Sequence, residues 1–413
     1  MLDLSDTITS DTFAHLARHP EFPNAFTRCR QLPLPALVGA LLSMRSSSQQ
    51  ATLDAFFGHL CADGAMTREV SDRAFAKARS HLHAPAVAWL NERLVSQAEA
   101  AGLLPRWQGW RLVAADASVL MPAIRRCRRA RGLADADARL FALYLPGAEL
   151  TLHAVVHSGS ESERAMLAEA LDKLGPDDVL LLDRGYPAAW LINLLNARGI
   201  RFIMRCDTSA GGWKALREFM RGTQPEAHIT LSAPQARDVA DWECPAHAPS
   251  VRVVRQISPG GALRVLMTNL DASAAPAAAF GALYHHRWRI EEAFKRLKCR
   301  MHLEAVSGLS QHALLIDVAA KVLADNIAAL LCLAAAAHAP PLQRGQCQRT
   351  HAGAVLLRML PRLLLAVGDV IALINDAMRL IARTCRRPRP SRSSPRPPRR
   401  AKPHPYMAYK AGA

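Results

Sequence analysis

Residues 283–300 read LYHHRWRIEEAFKRLKCR. The stretch holds no Gly or Pro, is rich in good helix formers, and is expected to be one helix. At roughly 100° per residue, with Tyr284 at zero, Arg287 falls near 300°, Glu291 near 340° and Lys298 near 320°, an arc of about 60°. Leu283, Ile290, Phe294 and Leu297 form a neighbouring apolar arc. Taken alone, such a pattern describes a surface helix with a solvated charged face. Here a lone carboxylate, Glu291, is ringed by Arg287, Lys295 and Lys298, with Tyr284 and a Trp on the polar side. That set suits a phosphate backbone held beside one metal-ligating acid. A single acid cannot hold a cation, so the rest of the chain must supply partners.

Upstream, the pattern is that of a mixed sheet. Arg111 to Val119 reads as a buried strand carrying Asp116, and strands follow at Arg139 to Leu145 and Glu149 to Val156, joined at Pro146-Gly147. Glu161 to Leu174 is amphipathic and helical. Val179 to Leu182 is a short apolar strand ending at Asp183-Arg184-Gly185-Tyr186. Pro187 to Arg198 is helical, and Ile200 to Arg205 is a further strand. Three strands, helix, strand, helix, strand is the order of a ribonuclease-H-like α/β core. In that layout the first and fourth strands are neighbours, which brings Asp116 and Asp183 to one edge, where a later helix can add Glu291.

The flanks divide as follows. Residues 1–103 are expected to be an all-helical N-terminal domain, with helices at Leu34 to Met44, Gln49 to Cys61, Ser71 to Leu82 and Val87 to Gly102. The pair around the 62–70 connection is either a helix-turn-helix-like DNA reader or plain helical packing. Residues 104–206 form the first part of the core and 207–275 a separate β-rich insertion, with strand patterns at His228 to Ser232, Val251 to Ser258 and Leu263 to Thr268 around Pro259-Gly260-Gly261. Residues 276–340 complete the core. Long helices at Gln311 to Ala337 and Ala354 to Arg383 follow, the latter in a C-terminal section (341–384), before a basic tail (385–413).

Composition points the same way. The 413-residue chain is half hydrophobic and carries a formal charge of +17, which calls for a polyanionic partner. Eight basic and no acidic residues lie between Arg386 and Lys402, in a Pro-, Ser- and Arg-rich segment expected to be disordered. No basic segment leads to an apolar run after Met1, and no uninterrupted apolar run reaches about 18 residues. The nine cysteines include no CxxC pair, so reduced thiols are expected rather than a disulfide framework or zinc site. Asp116, Asp183 and Glu291 make an all-oxygen donor set suited to Mg²⁺ or Mn²⁺, and a two-ion site of that kind drives in-line displacement at phosphorus.

The chain resembles bacterial DDE transposases of the insertion-sequence-four family. Their signature, Tyr, two residues, Arg, three residues, Glu, six residues, Lys, is complete here as Tyr284, Arg287, Glu291 and Lys298. The spacing selects Glu291 over Glu292. Asp116 in AADAS and Asp183 in LLLDRGY are similar to the family's two aspartates, and Thr268-Asn269-Leu270 and VSDRAFAKAR (70–79) add to the likeness, which runs from about 25 to 335. It implies a bacterial cytoplasmic, nucleoid-associated enzyme acting on double-stranded DNA as a synaptic homodimer, away from any membrane. Such an enzyme binds terminal inverted repeats, cleaves the ends and joins a 3′-hydroxyl to target DNA. Asp116, Asp183 and Glu291 would then be catalytic metal ligands, and Tyr284, Arg287, Lys298, Lys295 and Arg184 would contact DNA. Relatives carry a base-stacking Trp ahead of the signature; here no Trp lies between Trp242 and Tyr284. The cluster Arg125, Arg126, Arg128, Arg129 and Arg131 is either a further DNA contact or a solvated loop. A nuclease of the same fold and a DNA-binding remnant without chemistry stay open as alternatives.

Overall fold

A computed structural model describes residues 2–27, 32–44, 48–60, 68–122, 138–207, 212–257, 261, 263–339 and 345–386. The arginine cluster at 125–131, most of the 62–70 connection and the tail beyond Arg386 lie outside the described residues. In chain order the N-terminal helices are α1 (Leu2–Thr9), α2 (Asp11–Leu16), α3 (Leu34–Ser43), α4 (Gln49–Gly58), α5 (Asp72–Ser80) and α6 (Ala84–Ala100). Then come β1 (Arg111–Leu120), β2 (Ala138–Leu145), β3 (Leu150–Ser158), α7 (Glu163–Glu169), β4 (Asp178–Leu182), α8 (Ala189–Ala197) and β5 (Arg201–Arg205). The remaining elements are α9 (Lys214–Arg221), β6 (Glu226–Thr230), α10 (Ala236–Trp242), β7 (Ser250–Ile257), β8 (Leu263–Thr268), α11 (Phe280–His285), α12 (Trp288–Cys299), α13 (Gln311–His338), α14 (Arg349–Leu364) and α15 (Val370–Ala382).

The chain divides into two compact units. One, Gly102–Val119 with Arg139–Phe294, is built on an eight-stranded sheet of order β3-β2-β1-β4-β5-β8-β7-β6. Strand β4, DVLLL, is buried at every position, as a central parallel strand covered on both faces should be. It pairs in parallel with β1 on one side and β5 on the other. The register Arg111↔Asp178 to Ala114↔Leu181 is locked at its start by a bidentate pair, Arg111 Nε to Asp178 Oδ1 at 2.6 Å and Nη2 to Oδ2 at 2.9 Å. Carried two residues further, that register brings Asp116 level with Asp183.

The stretch expected to be a separate β-rich insertion extends this same sheet instead. β8 pairs antiparallel with β5, and β7 and β6 follow outward. The Thr268-Asn269-Leu270 turn is the staple. Thr268 Oγ1 donates to Phe202 O at 2.6 Å, Asn269 Oδ1 accepts from Phe202 N at 3.0 Å, and Asn269 Nδ2 donates to Asn196 Oδ1 and Ile200 O.

The other unit gathers the described parts of Met1–Ala101, Leu120–Ala138 and Lys295–Ala413. The N-terminal helices therefore do not form a domain by themselves. α13 runs through this unit, packed by α6, α3, α14 and α15, and Asn326 donates to Asn91 of α6 at 2.6 Å. α13 is long and apolar enough to cross a membrane by length and composition, yet 78% of its most apolar window is buried inside the fold. Its buried Lys321 is satisfied internally, donating to the carbonyls of His302 and Ala305 at 2.7 and 2.6 Å. The single helix expected at 354–383 is two, α14 and α15, separated where Ala366 and Gly368 adopt positive φ. Cys347 and Cys385 are disulfide-bonded, against the expectation of thiols throughout, while Cys206, Cys244, Cys299 and Cys332 are in no disulfide. The isolated bridge Gln346↔Arg386 brings those two chain segments together.

Candidate active site

The helix expected over 283–300 breaks at His286-Arg287 into α11 and α12. There the backbone shifts to i→i−3 hydrogen bonds, Arg287 N to Tyr284 O and Ile290 N to Arg287 O. One tightened turn of this kind rotates the following residues relative to a regular helix. Arg287 is 2% exposed as a result. It does not face outward to meet a phosphate, as the regular wheel suggested.

Three acids meet that guanidinium. Arg287 Nη2 donates to Glu291 Oε1 at 2.7 Å and lies 3.9 Å from Asp183 Oδ2, while Nη1 lies 3.4 Å from Asp116 Oδ2. Asp116, within β1, Asp183, just past the C-terminal end of the adjacent parallel strand β4, and Glu291 of α12 thus converge on one guanidinium. Their side chains are 20%, 33% and 34% exposed against 3% for Arg287, so the acids open to solvent and the cation does not. Local backbone holds two of them in place: Asp116 Oδ1 accepts from Ala117 N at 2.9 Å and Asp183 Oδ1 from Arg184 N at 2.7 Å.

Burial pushes the Asp116 carboxyl up to about 7. Arg287 opposes that shift, and the nearby charges of Glu163 and Asp183 add to it. Burial works against the charge of Arg287, but Tyr284, Asp183, Asp116 and the bond to Glu291 outweigh it and hold its pKa above the ordinary value. Tyr284 is also buried, with its hydroxyl 3.4 Å from Asp183 Oδ1, and burial raises its pKa. It packs against the acids and not on the surface. Arg184 and Lys295 are exposed and Lys298 is half-buried, the two lysines lying one and two turns beyond Glu291 along α12.

The donor set fits a hard divalent cation, being all carboxylate oxygen with solvent on one side. Two buried polar atoms beside it, Tyr186 Oη and Arg287 Nε, have no hydrogen-bond partner among the described residues, as expected where a ligand or its water completes a site. A further acid, Glu163 on α7, has its pKa raised by burial, with Arg139 opposing and Asp183 adding to the shift. Sequence reading passed over it because an acid in the first turn of a helix is commonplace. A second group, His157, Glu161 and Glu169, also presents ligand atoms within 4.8 Å of one another. Its i, i+4 His–Glu spacing was the available signal.

Comparison with known proteins finds similarity to transposases. The family model described as "Transposase DDE domain" matches residues 126–327, which include Asp183 and Glu291 and begin after Asp116. Transposase InsG for insertion sequence element IS4, from Escherichia coli (strain K12), is 23% identical over 221 residues, covering 51% of this chain and 49% of that protein. The chain therefore spans about half the length of the curated relative that it matches. Among solved structures, the piggyBac transposase synaptic complex with hairpin DNA is similar at a TM-score of 0.46 and 9% identity, over 92% of this chain and 85% of that one.

Proposed function

We propose that this chain, which belongs to the DDE transposases of the insertion-sequence-four type, binds the terminal inverted repeats of its own element, cleaves the DNA ends and joins the resulting 3′-hydroxyl to target DNA. The convergence of Asp116, Asp183 and Glu291 on one buried guanidinium carries this reading. The order β3-β2-β1-β4-β5 supports a ribonuclease-H-like core under the site.

Asp116, Asp183 and Glu291 would hold the divalent ions, Mg²⁺ with Mn²⁺ as a substitute. Bound there, such ions supply Lewis acidity at the attacking and leaving oxygens of a phosphodiester. The protein's own part is to place and space the acids. Arg287 reaches all three and keeps mutually repelling carboxylates within one pocket, and the Tyr284 hydroxyl restrains Asp183. Arg184, Lys295 and Lys298 would meet the DNA backbone, with the +17 charge of the chain drawing double-stranded DNA in. In strand transfer the 3′-hydroxyl oxygen bonds to a target phosphorus while the target's own 3′ oxygen leaves. Two copies acting together in a synaptic homodimer would bring two ends to one target.

The test supplies a labelled duplex ending in a pre-cut terminal repeat, with a plasmid target and Mg²⁺. Joined products that vanish in Asp183→Ala are expected. Cleavage of intact ends with no joining of pre-cut ones would instead identify a nuclease of the same fold.

A further inference from the structure

A fourth carboxylate, Glu163, lies beside the turn that follows Asp183, in a part of the chain outside the signature spacing. Ser162 caps α7 by accepting from Ala165 N at 3.2 Å, and Glu163 is the first residue of that helix. The first turn of α7 lies against the Asp183–Tyr186 turn. Arg164 Nε donates to Gly185 O at 2.8 Å, and Glu163 Oε2 lies 3.6 Å from where a Cβ on Gly185 would stand. Gly185 is two residues beyond Asp183. On its other side Glu163 Oε1 forms an ion pair with Arg139 Nη1 at 3.7 Å, longer than a hydrogen bond.

An independent feature points to a ligand here. Tyr186 is wholly buried, yet its phenol oxygen has no hydrogen-bond partner among the described residues. That phenol lies in the field of Asp116, Glu163, Arg287 and Asp183, so it sits among the same charges. A buried hydroxyl left unpaired is costly, and groups so placed are commonly completed by ordered water of the kind a hydrated cation carries. Three of the four charged groups acting on this phenol are carboxylates, which suits a divalent ion better than an anion or an apolar ligand.

We propose that Glu163 is a fourth carboxylate of the divalent-cation site, joining Asp116, Asp183 and Glu291. This rests on the metal-binding reading above and extends it to α7. An added carboxylate raises the ligand charge and so the affinity for a hard cation.

The test is Mn²⁺ binding to the EDTA-stripped full chain, followed by calorimetry, with melting temperatures in EDTA as the folding control. Wild type should bind Mn²⁺, and Asp116→Asn should lose most of that binding. Glu163→Gln should weaken it by at least about tenfold with an unchanged melting temperature in EDTA. Glu163→Asp, which keeps the charge on a shorter arm, should fall between and covers the case in which the Gln variant folds poorly. Wild-type affinity in Glu163→Gln, with binding lost in Asp116→Asn, would overturn the assignment of Glu163 and leave the three-acid site standing. Binding that survives both changes, or that is lost only in His157→Asn, would overturn both readings and move the ion to the His157–Glu161–Glu169 group.

Discussion

Two buried charge clusters in this protein have opposite balances. In the helical unit one acid lies between two guanidiniums: Asp325 of α13 takes Arg296 of α12 at 2.9 Å and Arg349 of α14 at 3.1 Å. In the sheet unit one guanidinium, Arg287, lies among three acids. The acceptor sites of Asp325 are consumed by its two partners, so the cluster fastens three helices and has nothing to offer a ligand. Asp116, Asp183 and Glu291 all meet the Arg287 guanidinium and are partly open to solvent. Their oxygens retain capacity to bind something positive. Although both clusters draw on α12, only the second has the form of a chemical site.

This contrast can be broken most sharply at the three acids. Asp116→Ala, Asp183→Ala and Glu291→Ala should each reduce end cleavage by roughly 10³-fold or more while repeat binding in a mobility-shift assay is retained. Asp325→Ala should do the reverse. It takes the shared carboxylate from two buried guanidiniums and should cost about 3–5 kcal/mol in chemical denaturation, with Mn²⁺ affinity of the folded protein unchanged. Arg287→Gln removes the one cation between three acids. It should lower the melting temperature of the metal-free protein, and Mn²⁺ should recover most of the loss, which would not happen for a simple staple.

Asp116 sharpens the comparison through pH. Its carboxyl is raised from 3.8 to about 7 in the folded chain, so the folded protein holds that proton more tightly than the unfolded one. The resulting stability is fully present below about pH 4 and is lost as pH rises through about 7. Metal-free wild type should therefore lose more melting temperature across that window than Asp116→Asn does. The smallest expected effect belongs to Lys295→Ala or Lys298→Ala, each lowering the salt slope of DNA binding by about one ion.

Much of this architecture was legible because its signals are local. The continuous apolar run of β4 marks a buried central strand, and the order of strands and helices from β1 to β5 follows from local apolar patterning. What escaped depends on distant partners. The break at His286-Arg287 occurs among good helix formers, and it goes with a guanidinium turned inward toward Asp116 and Asp183. The strands of the expected insertion look independent until β8 pairs with β5 across the Thr268 and Asn269 side chains. Cys347 and Cys385 are 38 residues apart, and no spacing rule couples them. Glu163 looks like any helix-initiating acid, because only the fold brings α7 against the Asp183 turn.

The most direct measurement is nicking of a labelled duplex carrying the terminal repeat, with Mg²⁺, Mn²⁺ or EDTA, by wild type and Glu291→Ala side by side. Metal-dependent nicks at the repeat boundary that disappear in Glu291→Ala, with binding intact, are the predicted result. Equal nicking by both proteins, or cleavage that persists in EDTA, would contradict the assignment of the Asp116–Asp183–Glu291 cluster as the metal-dependent centre.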